Sequence, residues 1–319
     1  MANELRQGKN ALTIVGAIKE HKLSKFEGKD KEGKSQTSIN GSFVVKAGEF
    51  KEVEVNVFVA EKTSKGKNNK TFDVLKSILD ETNKTMANAK EDEVVTKVRI
   101  QGSGDFTPQF KEDIYKKKEG DEVATTNKID LGYGNVTIDN SITEDKYKAE
   151  FDVEIYVTTV EEELDKDENE TGRVKVKGWL PVYGGKVIPI SMVAGMTTDD
   201  DGEEINIAEG ILDSVEEGGT FNAWGYINFE KIVEEIKKGG SIGKAKVETK
   251  NTYINELVIT GGDVVEDEEK EFEEELIKQA KLERDKVIEE KKNEAPKEDK
   301  KSKGIGKGGD KAKRERPKF

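Results

Sequence analysis

The 319-residue chain has no cysteine and a single histidine, His21. Without cysteine there is no disulfide framework and no thiolate chemistry. One imidazole is too few for most transition-metal sites and for His-based acid–base catalysis. The run GIGKGG from Gly304 lacks both the Lys-Ser/Thr ending and the preceding strand of a phosphate-binding loop. The run Asp199-Asp200-Asp201-Gly202 has Thr197 and Ala208 where a calcium loop needs carboxylates. No enzyme, cofactor or metal is therefore expected. No apolar run reaches the length needed to cross a bilayer, and MANELRQGKN carries no apolar signal core. A cytoplasmic protein without membrane contact is the expectation. Hydrophobic residues make up only 33% of the chain and charged residues 38%, which suits small barrels with long solvated loops better than one large core.

What is present is alternation. Residues 10–18 (NALTIVGAI) read as a strand with a bulge or bend at Gly16, residues 37–45 (TSINGSFVV) as a second, and residues 52–60 (EVEVNVFVA) as a third. Helical spacing of Phe72, Leu75, Ile78 and Leu79 behind a Thr71 cap follows, then strands over 93–101 and 134–138. The same order recurs: strands over 150–160, 173–183 and 186–194, a helix over 207–215, and strands over 220–229 and 253–260. Gly41 between Asn40 and Ser42 has a counterpart in Gly178, and Ile78-Leu79-Asp80 returns as Ile211-Leu212-Asp213. Three strands, a helix and two closing strands is the order of the OB-fold, a five-stranded Greek-key barrel.

Through the hairpin INGSFVVKAGEFKEVEVNVF and the closing strand YINELVITGG, the chain resembles the OB-fold single-stranded DNA-binding proteins of bacteriophage replication and recombination systems. The expected fold is mainly β: one barrel over 1–140, a second over 141–262, a long charged helix over 263–294 and a disordered Lys/Arg/Gly-rich tail over 295–319. Residues 104–128 stay open between an extended hairpin and a linker. The resemblance implies DNA as the ligand, replication or recombination proteins as partners, and an acidic C-terminal tip. This chain departs from the last by ending Arg316-Pro317-Lys318-Phe319. A basic tail suits phosphate contacts, or self-association along a coated strand.

Single strands are held by cations on phosphates and by rings that stack on base faces. In the strand over 173–183, alternation sends Val174, Val176 and Leu180 inward and leaves Arg173, Lys175, Lys177, Trp179 and Tyr183 outside. The alternative for Trp179 and Tyr183 is a hydrophobic patch covered by a neighbouring part of the protein. In the strand over 52–60, Phe58 is outside, and in the strand over 37–46, Phe43 is inside. Trp224 and Tyr226 share one face of a strand whose other face is also apolar, so stacking and burial weigh equally there. The loop after the first strand supplies Lys22, Lys25, Phe26, Lys29, Lys31 and Lys34, and the loop after the third supplies Lys62, Lys65, Lys67 and Lys70. Both border the strand 2–3 face that OB-folds use for oligonucleotides. The formal net charge of -13 arises from acidic blocks at 161–170, 199–204 and 266–275, away from that face. These residues point to single-stranded DNA binding without sequence preference, with RNA left open because nothing reads a 2′-hydroxyl. The rival function is an adaptor whose barrels contact other proteins.

Overall fold

The computed structural model describes residues 4–29, 33–49, 51–63, 65–102, 106–117, 122–198, 201–238, 246–267 and 269–294, with 231–238 and 246–253 described by their backbone. In the first half, β1 (Asn10–His21), β2 (Ser24–Lys29), β3 (Ser35–Lys46) and β4 (Glu52–Ala60) lead into α1 (Lys70–Leu79). Next come β5 (Lys97–Gln101), β6 (Gln109–Lys116), β7 (Val123–Asp130) and β8 (Asn135–Ile138). After a 3-10 turn at Glu144–Lys146, the second half holds β9 (Lys148–Leu164), β10 (Glu170–Val182), β11 (Lys186–Ala194), the short pair β12 (Met196–Thr198) and β13 (Glu204–Asn206), α2 (Ile207–Ser214), β14 (Thr220–Lys238) and β15 (Lys246–Val264). A final helix, α3 (Glu274–Asn293), ends the described chain.

Strand pairing closes two barrels. In the second, β9 pairs β10, β10 pairs β11, β11 pairs β15 in parallel, β15 pairs β14, and β14 returns to β9. This is the OB-fold ring, with the parallel contact between strands three and five. In the first barrel β1 pairs β3, β3 pairs β4, and β4 meets β7 in parallel at Val55 and Ile129. Its fourth strand is split into β5 and β6 and its fifth into β7 and β8. β8 pairs β5, and β5 returns to β1. Within the segment left open over 104–128 lies most of the hairpin of β6 and β7, with 104, 105 and 118–121 outside the described residues. A feature not anticipated is that the first strands of the two barrels pair antiparallel, Asn10 opposite Val153 through Val15 opposite Lys148. One sheet therefore runs through both.

The sequence repeat has a structural reason. An ideal Cβ on Gly41, at φ +123°, would lie 2.1 Å from the Lys22 carbonyl just past β1. One on Gly178 would lie 2.5 Å from the Tyr156 carbonyl of β9. In both barrels strand two crosses strand one too closely for a side chain, so glycine is required there. Ile78 and Ile211, from the repeated Ile-Leu-Asp, are buried by the helix that plugs each barrel. The inward residues Ile14, Ile39, Phe43, Val55, Phe151, Val176, Leu180 and Ile259 belong to one apolar cluster spanning both barrels. Asn10, buried at the seam, donates to the Phe110 carbonyl and accepts from its amide, both at 2.9 Å, so its side-chain amide is satisfied without water.

Several local expectations need correction. The cap of α1 is Asn69, whose side chain accepts from the Thr71 amide, because Asn one residue before the helix satisfies a free N–H that a Thr inside it does not reach. β14 and β15 are 19 residues each, far longer than the apolar pattern suggested, because their two-stranded backbone ladder continues from Phe221 opposite Val264 to Lys238 opposite Lys246. The helix expected to stand exposed over 263–294 begins only at Glu274 and buries Ile277 and Ala280, with Phe272 buried just before it. Among the described residues no helix is long and apolar enough to cross a membrane. The tail over 295–319 lies outside the described residues.

Candidate nucleic-acid interface

On a sheet, residues directly opposite one another share a face. Phe26 of β2 lies opposite Ser38 of β3, which lies opposite Ala60 of β4. One row away on the same face, Ser24, Asn40 and Phe58 align. Phe26 and Phe58 thus stand on one outer surface, two strands and two residues apart, about 12 Å by standard sheet spacings. They are 51% and 67% exposed, while Phe43 on the inner face is fully buried. β2 is an addition to the barrel that widens this face beyond β3, and it turns Phe26 from a loop residue into a strand residue.

The two lysine loops meet here. The Glu61 amide donates to the Thr37 carbonyl at 2.9 Å, and Gln36 Nε2 to the Lys62 carbonyl at 3.3 Å, fastening the loop after β4 to the start of β3. That loop closes on itself through Thr63 N–H to Lys67 O and Asn69 N–H to Glu61 O. Gln36 is opposite Gly28, so Lys29 and Lys62 come to the same end of the barrel. Lys22, Lys29, Lys62, Lys65, Lys67 and Lys70 are all exposed, and none forms an ion pair among the described residues. Lys25 is exposed and 3.5 Å from Glu27. Lys34 is exposed and has a partner, and Lys31 lies outside the described residues. Carboxylates on this face are already engaged: Glu54 accepts from Ser42 Oγ at 2.6 Å, and Glu52 is paired with Lys19.

The equivalent face of the second barrel differs in every respect that binding requires. Arg173 pairs with Glu163 at 3.2 Å and with Glu256 at 3.0 Å, Lys175 with Glu163 at 3.4 Å, and Lys177 with Glu161 at 2.5 Å. The hydrogen bond from Lys177 holds the Glu161 carboxyl below its usual value. Trp179 points outward as alternation required but is only partly open to solvent. It packs against Phe272, Ile277 and Ala280 of the C-terminal segment, together with Tyr156 and Val187. Lys281 Nζ and the Arg284 guanidinium each stand 5.5 Å from its ring centroid, where a base would have to stack. The expectation of a free basic and aromatic row is corrected for Arg173, Lys175, Lys177 and Trp179, because a neighbouring strand supplies carboxylates and a helix supplies the cover. Tyr183, in the turn between β10 and β11, is 85% exposed.

Trp224 and Tyr226 occupy a third location. They lie opposite Asp152 and Glu150 of β9, which lie opposite Ala11 and Thr13 of β1. Both rings are exposed, at 36% and 37%, in an open groove lined by these residues, and Lys51 stands 4.2 Å from the Tyr226 centroid. The two carboxylates pair with Lys9 and Lys148. Phe221, Ala223 and Ile227, on the other face of β14, are buried. Lys51, immediately before β4, also forms an isolated antiparallel bridge with Glu230 of β14, so the start of β4 adjoins this groove while Phe58 lies toward the strand's other end.

Sequence reasoning missed the carboxylate partners of β10 and the clasp of α3. Arg284 forms a two-pronged ion pair with Glu112 of β6, at 2.7 and 2.5 Å, and the bond to Glu112 raises the guanidinium pKa further above its usual value. The signal for the first was present: the acidic run ending at Glu170 joins the basic strand through a tight turn, and a hairpin there sets Glu161 opposite Lys175. No local pattern announced the second.

The chain belongs to the YorF family, whose model matches residues 9–294. No curated protein matches it. Among solved structures it is similar to the single-stranded DNA-binding protein of Thermus aquaticus. A deletion mutant of that protein aligns at 9% identity and a TM-score of 0.40, over 82% of this chain and 97% of that one. The wild-type form aligns at 7% identity and 0.39, over 82% and 95%.

Proposed function

We propose that this protein binds single-stranded DNA without sequence preference, through the outer face of β2, β3 and β4 in the first barrel. The observation that carries the reading is the pair of exposed rings, Phe26 and Phe58, on one sheet face, together with Lys62, Lys65, Lys67 and Lys70 of the loop fastened to the start of β3, all exposed and without an ion-pair partner among the described residues. Each unpaired ammonium that meets a phosphate releases counterions, and each ring takes a base of any identity. Nothing on the face is arranged to read base edges, so affinity without specificity is what this chemistry delivers. The protein acts as a binding module rather than an enzyme. It coats exposed strands, shields them and removes their secondary structure during replication or recombination. The bacteriophage setting rests on the sequence resemblance in the β3–β4 hairpin and the closing strand YINELVITGG.

Titration of labelled oligo(dT) at several salt concentrations, with oligo(U) alongside, tests the reading. Tight binding that weakens steeply with salt and is insensitive to base composition is expected. Absence of saturable binding at low salt refutes it.

A further inference from the structure

The two barrels repeat one topology, but their ligand faces have been put to different uses. We propose that α3 permanently seals the strand 2–3 face of the second barrel, so that the chain engages nucleic acid through the first barrel only. The inference rests on the single-stranded DNA-binding reading above and says which of two topologically equivalent faces carries it.

Three independent features support the seal. The first is occupancy. Trp179, the ring best placed on β10 to stack a base, is partly buried against the cluster that holds Phe272, Ile277 and Ala280, with Lys281 and Arg284 over its face. The second is charge. The cations of β10 are neutralised by Glu161, Glu163 and Glu256, so removing the helix would not uncover free positive charge. Counterion release, the main source of non-specific affinity, is therefore missing on this face. The third is anchoring. The helix is held just before its start and at its middle by groups outside the second barrel's face. Arg6, itself paired with Glu154, lies 4.0 Å from the Phe272 ring centroid, and the Phe272 amide donates to Thr220 Oγ at 2.8 Å. Arg284 reaches across to Glu112 on the β6–β7 hairpin of the first barrel. A helix clasped to the other barrel through a part-buried bidentate pair is a brace between barrels, not a loose flap.

The chain has two tryptophans, so Trp224→Phe leaves Trp179 as the sole indole reporter in the full-length protein. Fluorescein-labelled oligo(dT) reports binding by anisotropy, while acrylamide quenching of Trp179 reports the seal. The expected result is saturable binding with no change in Trp179 emission or quencher access. Ala280→Arg on the same background, which drives a charged side chain into the helix contact, should raise quencher access several-fold. It should leave oligo(dT) affinity within about twofold, because the first barrel is untouched. Saturable binding accompanied by quenching or exposure of Trp179 overturns the inference and leaves the DNA-binding reading standing. Failure of Ala280→Arg to increase access also overturns it, since the helix would not be what shields the ring. No saturable binding at all removes both.

Discussion

Replacing Phe58 by alanine isolates the stacking contribution from everything else on the surface. The ring is 67% exposed and projects from β4 between Val57 and Val59, both of which face the core and stay in place. Folding stability should change by no more than about 0.5 kcal/mol, the range for a surface side chain without special contacts. Loss of one stacked base costs about 1–3 kcal/mol, which converts to a fall in affinity of about 5- to 150-fold. No ammonium is removed, so the slope of log affinity against log salt should be unchanged. The assay is the oligo(dT) titration at four or more salt concentrations, together with a urea unfolding curve for the same variant. Affinity within twofold of the parent refutes the reasoning. So does an altered salt slope, or a shift in the unfolding midpoint large enough to explain the loss by itself.

Lys65→Ala and Lys67→Ala should act in the complementary way, weakening all oligonucleotides alike and lowering the salt slope by about 0.7 for each phosphate that no longer meets an ammonium. A sequence-dependent loss would count against them as phosphate ligands. Removing residues 295–319, a Lys- and Arg-rich segment, should weaken binding and flatten its salt dependence, and an unchanged slope in the truncated chain would show the tail to be uninvolved. Arg284→Ala leaves the Glu112 carboxylate, whose side chain is only 6% exposed, without its partner. Unfolding in urea should then show a loss of about 3 kcal/mol, and a loss under about 1 kcal/mol would mean that the pair is not structurally important.

Much of the fold could be read because small barrels keep a strict period of two. Val53, Val55, Val57 and Val59 have to share a face, and the buried face of a closed barrel has to be its interior. The repeat was readable for the same reason that it exists: Gly41 and Gly178 stand where two strands cross without room for a side chain. The outward position of Phe58 and the inward position of Phe43 follow from alternation alone. β2 escaped notice because its six residues, SKFEGK, bury almost nothing and are held by backbone pairing to β3, which leaves no hydrophobic trace.

Alternation determines which side a residue faces, but not what lies on that side. It put Arg173, Lys175, Lys177 and Trp179 on the outer surface, and they are there. Whether that surface is free depends on contacts between residues distant in the chain. Glu256 reaches Arg173 from β15, and Arg284 reaches Glu112 across 172 positions. The acidic block at 161–170 illustrates the difference: as composition it is a repelling patch, but folded as a hairpin it becomes the set of partners that cancels the basic strand. Local sequence thus determined two barrels, their interiors and the direction of rings such as Phe43, Phe58 and Trp179, because backbone geometry links neighbours by fixed periods. Only the tertiary structure decided that one outer face stays open and the other is sealed, because covering a surface takes a segment brought there by the path of the whole chain.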